Sequence, residues 1–214
     1  ASSFKEEVFH LDIDLKTNKQ NDKSPLIIRP KTIELKDVES KASLSKNESI
    51  YSALKLGLKD YVRKNKFTKV LIGISGGIDS ALTAAICVDA LGAENVIGVA
   101  MPSKYNSKDS LDDAIKLSDN LGITLKTIEI EKLVDDFRET LTSSLNEDLG
   151  QITDENIQSR VRGNILMGLS NQTGAMVVST GNKSEMAVGY STLYGDLAGG
   201  FALIKDLYLS LIHI

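Results

Sequence analysis

Between Gly73 and Ser80 the chain reads GISGGIDS, a pair of glycines and a carboxylate set among serines. Gly76 and Gly77 let the backbone turn sharply and bring its N–H groups close to a ligand. The apolar run Val70–Ile74 just before them reads as a buried strand, and the small residues from Ser80 onward suit a helix. A helix starting there turns its partial positive end toward the glycines, and Ser75 and Ser80 add hydroxyl donors. The join is a candidate phosphate cradle. It matches neither of two common kinds, since no Lys-Ser or Lys-Thr pair follows the glycines and G-x-G-x-x-G is absent. Instead, Asp79 sits inside it. A carboxylate beside phosphates is repulsive unless a cation bridges them, and Mg²⁺ favours that mixture of oxygens. Asp79 is therefore a candidate metal ligand. The plainer alternative is a tight strand-to-helix turn with Asp79 as its N-cap.

Two later stretches carry further chemistry. In DENIQSRVRGNILM, Asp154–Met167, a helical reading puts Asn156 and Arg160 on one face, four residues apart. Ile157, Val161 and Ile165 form the adjacent apolar seam, and Arg160 and Arg162 point in different directions. The alternative is a solvated charged face. In VVSTGNKSEMAVGYSTLYGD, Val177–Asp196, an apolar strand delivers the turn Thr180-Gly181-Asn182, with Glu185 one helical turn on. If this strand lies beside the first, Glu185 supplies a second carboxylate to the cation held by Asp79. Otherwise Glu185 is an acid that favours a helix start. The two histidines, His10 and His213, lie outside every motif.

The elements that must position these residues follow from periodicity. A helix is expected from near Ser45, where Ser45-x-x-Glu48 has the spacing of a capping box, with Ile50, Leu54, Leu58 and Val62 as its apolar stripe. From Lys69 strands and helices alternate. Strands are expected at Val70–Ile74, Val96–Met101, Leu125–Ile130 and Met176–Ser179. Helices are expected at Ser80–Leu91, Lys108–Leu121, Leu133–Leu145 and Asp154–Ser170, with Gly92 and Gly122 as helix-ending glycines. Such alternation predicts an α/β fold, a parallel sheet with helices on both faces. The first 46 residues read differently: VFHLDIDL alternates like a strand, then a Lys-, Asn- and Ser-rich linker carries Pro25 and Pro30. The last six, LSLIHI, lack cap or turn signals and read as an interrupted or non-native tail.

Composition narrows the class. The chain has 214 residues, 42% hydrophobic and 25% charged, with a formal net charge of -4. That balance argues against non-specific nucleic-acid binding, which needs a basic face. No apolar run has the length of a membrane span, and ASSFKEEVFHLDIDL lacks the pattern of a secretory leader. A single cysteine, Cys87, excludes an internal disulfide and fits a reducing, cytoplasmic setting. Flanked by Ile86 and Val88, it is expected to be buried with an inert thiol.

GISGGIDS resembles the pyrophosphate-binding loop of the ATP pyrophosphatases that adenylate a substrate. Together with NIQSRVRG and STGNKSEMAVGYSTLYGDLAGGFA, it is similar in order and spacing to the synthetase domain of glutamine-dependent NAD synthetases, ligases of NAD biosynthesis, over about Ile50–Tyr208. The resemblance implies an adenine nucleotide alpha hydrolase-like fold at 47–208, truncated at its C-terminal end. It implies the end of a nitrilase-like glutaminase domain and a linker at 1–46, and leaves 209–214 as the tail.

The implied reaction is ATP-dependent amidation of nicotinic acid adenine dinucleotide (deamido-NAD) through an acyl-adenylate, with ammonia drawn from glutamine by a domain absent here. The resemblance gives ATP contacts to Gly73, Ile74, Ser75, Gly76, Gly77, Ile78, Asp79, Ser80 and Thr180. It gives deamido-NAD contacts to Asn156, Arg160 and Glu185, and catalytic, Mg²⁺-binding roles to Asp79 and Glu185. It further implies a homo-oligomer acting on small molecules, with neither nucleic acid nor membrane as partner. Leu193 stands where ammonia-dependent relatives place a lysine, which fits the glutamine-dependent branch, and a later substrate-binding lysine is expected past Ile214. The alternatives are another adenylating enzyme, GMP synthetase-like or tRNA-modifying, or a non-catalytic nucleotide-binding module. A tRNA-thiolating enzyme wants reactive cysteines and a basic surface, and this sequence offers neither.

Overall fold

The computed structural model describes Phe4 and residues 44–104 and 108–213. The strand expected at VFHLDIDL and the linker with Pro25 and Pro30 lie outside the described residues. The chain divides into two units, residues 1–49 and 50–214. Helix α1 (Lys46–Lys64) opens on the expected capping box. The Ser45 amide donates to the Glu48 carboxylate at 2.8 Å and the Glu48 amide donates to Ser45 Oγ at 3.3 Å.

The second unit is built on five parallel strands: β1 (Val70–Gly73), β2 (Val96–Ala100), β3 (Thr124–Thr127), β4 (Met176–Ser179) and β5 (Phe201–Ala202), in the order β3-β2-β1-β4-β5. Parallel neighbours need long crossovers, which are made with α2 (Ile78–Leu91), α3 (Lys108–Leu121), α4 (Glu131–Leu145) and α5 (Gln151–Thr173). The period of two along each strand decides which helix meets which side chain. Val70, Ile72, Met176 and Val178 form one core with Leu58 and Val62 of α1 and Ala84 and Cys87 of α2. Leu71, Val99 and Val177 form the other with Val134 of α4 and Ile157, Val161 and Leu166 of α5. The result is the expected parallel sheet with helices on both faces.

Several boundaries differ. β3 stops at Thr127 rather than Ile130, although Ile128 and Ile130 still donate to the Ala100 and Pro102 carbonyls. α5 is longer than expected at both ends, from the N-cap Gly150 to a left-handed Gly174 at φ 69°. α2 starts at Ile78 with Gly77 as N-cap, which places Asp79 in the first turn and removes the alternative of Asp79 as the cap.

Three short elements have no periodic signature: β5, α6 (Lys183–Val188) and α7 (Leu209–Ile212). Gly199 and Gly200 lead into β5, and the backbone passes β4 too closely for a side chain. A Cβ on Gly200 would lie 2.9 Å from Met176 Cγ. The tail expected to be an interrupted element forms α7, and its Leu211 and Ile212 pack on the first core. No described helix is long and apolar enough to cross a membrane.

This strand order positions the site. The chain leaves β1 for β2 on one side and returns to β4 on the other. Such a reversal opens a crevice at the carboxyl ends of the strands, where open α/β sheets bind ligands.

Candidate functional site

The glycine loop sits at that reversal, between β1 and the start of α2. Gly76 adopts φ 82°, a left-handed conformation in which a Cβ would lie 2.4 Å from Ser110 O on α3. The serines shape the loop. Ser80 Oγ donates to Gly77 O at 2.9 Å and accepts the Ser75 amide at 3.3 Å, while Ser75 Oγ accepts the Gly77 amide at 3.2 Å. Ser80 is buried, and its hydroxyl bonds within the turn. No side chain caps the first-turn amides of α2. An uncapped helix start at a strand's carboxyl end is an anion site in waiting.

A cavity of about 300 Å³ opens beside the loop. Gly73, Ile74, Ser75 and Thr180, all expected at the site, line it. Its apolar wall includes Met101, Leu111, Leu166 and Val178, and its charged members are Arg162 and Asp196. Its volume is at the lower end for a small-ligand pocket, roughly 300–1,000 Å³. Gly76, Gly77, Ile78, Asp79 and Ser80 lie in the loop and helix start outside this lining.

The wall after β2 is pinned from the other face of the sheet. Ser103 Oγ donates to Gln158 Oε1 at 3.3 Å, and Gln158 Nε2 donates to Asp154 Oδ2 at 3.0 Å. Asp154 also takes both sides of the Arg138 fork, through Nε and Nη2. Glu131 accepts the Lys104 amide and side chain and Arg138 Nη1, so its carboxyl is held down at about 2. The Lys104 amide is the first cause of that shift.

Asp79 and Glu185 are brought together by a residue that the sequence reading passed over as part of a turn. Asn182 is 1% exposed and caps α6. Its Oδ1 accepts the Glu185 amide at 3.0 Å, its own amide donates to Glu185 Oε2 at 2.9 Å, and its Nδ2 donates to Asp79 Oδ1 at 3.2 Å. Glu185 is thus the fourth member of an N-x-x-E capping box as well as a neighbour of Asp79 through Asn182. Each carboxylate gives one oxygen to Asn182. Two carboxylates and no third acid, His or Cys clustered with them among the described residues is a donor set that suits Mg²⁺, which completes its shell with phosphate oxygens and water.

Asn156 and Arg160 share a face of α5 as expected, but they lie outside the cavity lining. Asn156 Oδ1 accepts from Thr192 Oγ1 at 2.8 Å, and Arg160 Nε donates to the Leu193 carbonyl at 3.3 Å. Both meet the segment between α6 and β5. Gly163 and Gly195 let that segment lie against α5, since a Cβ on Gly163 would sit 2.7 Å from Tyr194 O. Arg162 points the other way and donates from Nε to Met101 O at 3.3 Å. The sequence reading left it without a role. Its signal is its place on the helical row Ser159–Arg162–Leu166, all three of which line the cavity. Cys87 is fully buried, and burial pushes its thiol up to about 12, so it is no nucleophile at neutral pH.

Comparison with known proteins places these features in a wider set. The family model described as NAD synthase matches residues 50–212. The glutamine-dependent NAD(+) synthetase of Thermotoga maritima is 56% identical over 163 residues, covering 76% of this chain and 28% of that protein. The chain spans 28% and 36% of the length of two such curated relatives, the second from Acinetobacter baylyi. Among solved structures, a glutamine-dependent NAD+ synthetase from Acinetobacter baumannii in complex with ADP superposes with a TM-score of 0.80 at 48% identity, covering 82% of this chain and 33% of that one. An ammonia-dependent NAD synthetase from Campylobacter jejuni gives 0.73 at 35% identity, covering 79% and 72%.

Proposed function

The chain belongs to the NAD synthase family, and on that premise we propose that it carries the adenylating site for amidation of deamido-NAD to NAD. The observation that carries the proposal is the uncapped start of α2, which follows a left-handed glycine turn beside a cavity lined by Gly73, Ile74 and Ser75. The loop amides and Thr180 hold ATP. A nicotinate carboxylate oxygen attacks the α-phosphorus, the bond to the bridging oxygen breaks, and pyrophosphate departs with its charge toward the helix start. Ammonia nitrogen then attacks the acyl carbon, the acyl–oxygen bond breaks, AMP leaves with both electrons, and the nitrogen loses a proton to give the amide. Charge stabilisation and positioning supply most of the acceleration in such transfers, so no His base is required.

Asp79 and Glu185 would hold Mg²⁺, which when bound neutralises phosphate charge. Asn182 sets their separation. The Asn156–Arg160 face binds deamido-NAD. Ammonia is taken from solution or from a glutaminase, since Cys87 is buried. The low net charge and the lack of a reactive cysteine disfavour the tRNA-modifying alternative.

The test is ATP–pyrophosphate exchange by the purified protein, with deamido-NAD, xanthosine monophosphate or tRNA as acceptor. Exchange that depends on deamido-NAD supports the proposal, whereas exchange driven by either other acceptor, or none with any, counts against it. Within the same assay, Asn156→Ala raises KM for deamido-NAD several-fold while KM for ATP stays put. An increase in KM for ATP instead contradicts the assignment of that face.

A further inference from the structure

We propose that Asn182 makes the acid pair select Mg²⁺ over Ca²⁺, a positioning role that rests on the adenylating reading above. Asn182 is 1% exposed, and its side chain joins the start of α6 to the start of α2. Its Oδ1 is committed to the Glu185 amide at 3.0 Å in the capping box. That bond settles which way the side-chain amide faces, and it turns Nδ2 toward Asp79 Oδ1, 3.2 Å away. The Asn182 backbone amide donates to Glu185 Oε2 at 2.9 Å. One buried residue therefore holds one oxygen of each half-buried carboxylate. The oxygens it does not engage are Asp79 Oδ2 and Glu185 Oε1.

This division bears on the choice of cation. Mg²⁺ demands a tight octahedral shell, uses one or two carboxylates and keeps places for water and phosphate oxygens. Ca²⁺ takes about six to eight oxygens and readily accepts both oxygens of one carboxylate. With Oδ1 and Oε2 bonded to Asn182, the pair offers a cation one oxygen from each acid, which meets the need of the smaller ion. Hydrogen bonds of this kind fix the orientation of a metal-binding group. Asn182 is also neutral. An Asp in its place would cap α6 as well, but it would bring a third carboxylate and no N–H for Asp79. That is a set with more oxygens and more charge, suited to Ca²⁺.

The test compares the parent with Asn182→Ser and Asn182→Asp. Both replacements keep a good cap for α6, and neither has a side-chain nitrogen to donate to Asp79. Affinity for a non-hydrolysable ATP analogue is measured by calorimetry in excess Mg²⁺, in excess Ca²⁺ and in EDTA. The parent binds the analogue more tightly with Mg²⁺ than with Ca²⁺. Both variants lower that ratio by about ten- to a hundredfold, the usual effect of removing a partner that orients a metal ligand, while binding in EDTA is unchanged. An unaltered ratio in the variants overturns the inference. So does an equal loss in all three conditions, which makes Asn182 a support for the fold alone, or a parent that binds equally well with either cation. A parent that binds no analogue in any condition defeats the adenylating reading itself, before Asn182 is in question.

Discussion

Replacing Asp79 by Asn lowers ATP–pyrophosphate exchange by about a hundred- to a thousandfold, the range found when one preorganised electrostatic group is removed from an active site. The folded protein survives the change. Asp79 Oδ1 accepts a hydrogen bond from Asn182 Nδ2 at 3.2 Å, and an amide oxygen in the same place accepts it equally. What disappears is one negative charge, and with it half of the acid pair that Asn182 holds together. Glu185→Gln tests the other half and separates two functions. Its amide oxygen can still accept the Asn182 amide, so the capping box persists while the charge is lost. Exchange near the parent rate in Asp79→Asn, with an unaltered melt, removes Asp79 from the machinery and with it the argument that a cation bridges this loop to phosphate.

Gly76→Ala disrupts the loop, and Gly77→Ala does not. The residues are adjacent, so the contrast isolates backbone geometry from composition. Gly76 sits at φ 82°, and an added Cβ would lie 2.4 Å from Ser110 O and 3.0 Å from Ser110 Cα, backbone atoms at the head of α3. A left-handed conformation alone costs an L-residue about 1–2 kcal/mol, and relieving the overlap requires α3 to shift as well. Gly77 is extended at φ -84°, and its Cβ would meet only Ser75 Oγ at 3.3 Å. Thermal unfolding reads the difference. The backbone term lowers the melting midpoint of Gly76→Ala by about 2–8 °C for a chain of this size, with greater loss if α3 moves, while Gly77→Ala stays near the parent. ATP affinity falls with the same variant, because the turn aims the α2 amides. Equal destabilisation by the two alanines contradicts the described geometry.

Much of this arrangement is legible in the sequence because periodicity and glycine placement are local signals. β1 and β4 read as short apolar runs because both of their faces are covered, by α1 and α2 on one side and α4 and α5 on the other. The loop is legible because a glycine pair between an apolar run and a helix-forming segment marks a strand-to-helix turn. β5 is not, because two residues after a glycine pair carry no period. Asn182 reads as a turn residue, although a buried polar side chain that bonds through both its Oδ1 and its Nδ2 is what joins the two acids. The spacing Asn182-x-x-Glu185 carries the capping-box signal, yet nothing in it points to Asp79, 103 positions earlier. Arg162 is not legible in the same way, because Asn156 and Arg160 already make a polar face of α5. The row that enters the cavity runs two positions away, through Ser159 and Leu166. Helical geometry offers both rows, and only the tertiary packing of α5 across the strand ends chooses between them.

The central claim is that a carboxylate is activated by transfer of AMP, and oxygen labelling tests it most directly. The protein is incubated with ATP, ammonium and deamido-NAD carrying ¹⁸O in its carboxyl group, and the products are weighed by mass spectrometry. Attack on the α-phosphorus followed by acyl–oxygen cleavage leaves one labelled oxygen on AMP and none on pyrophosphate, with NAD formed in step. Label in inorganic phosphate alongside ADP, or NAD formed with unlabelled AMP, contradicts the account.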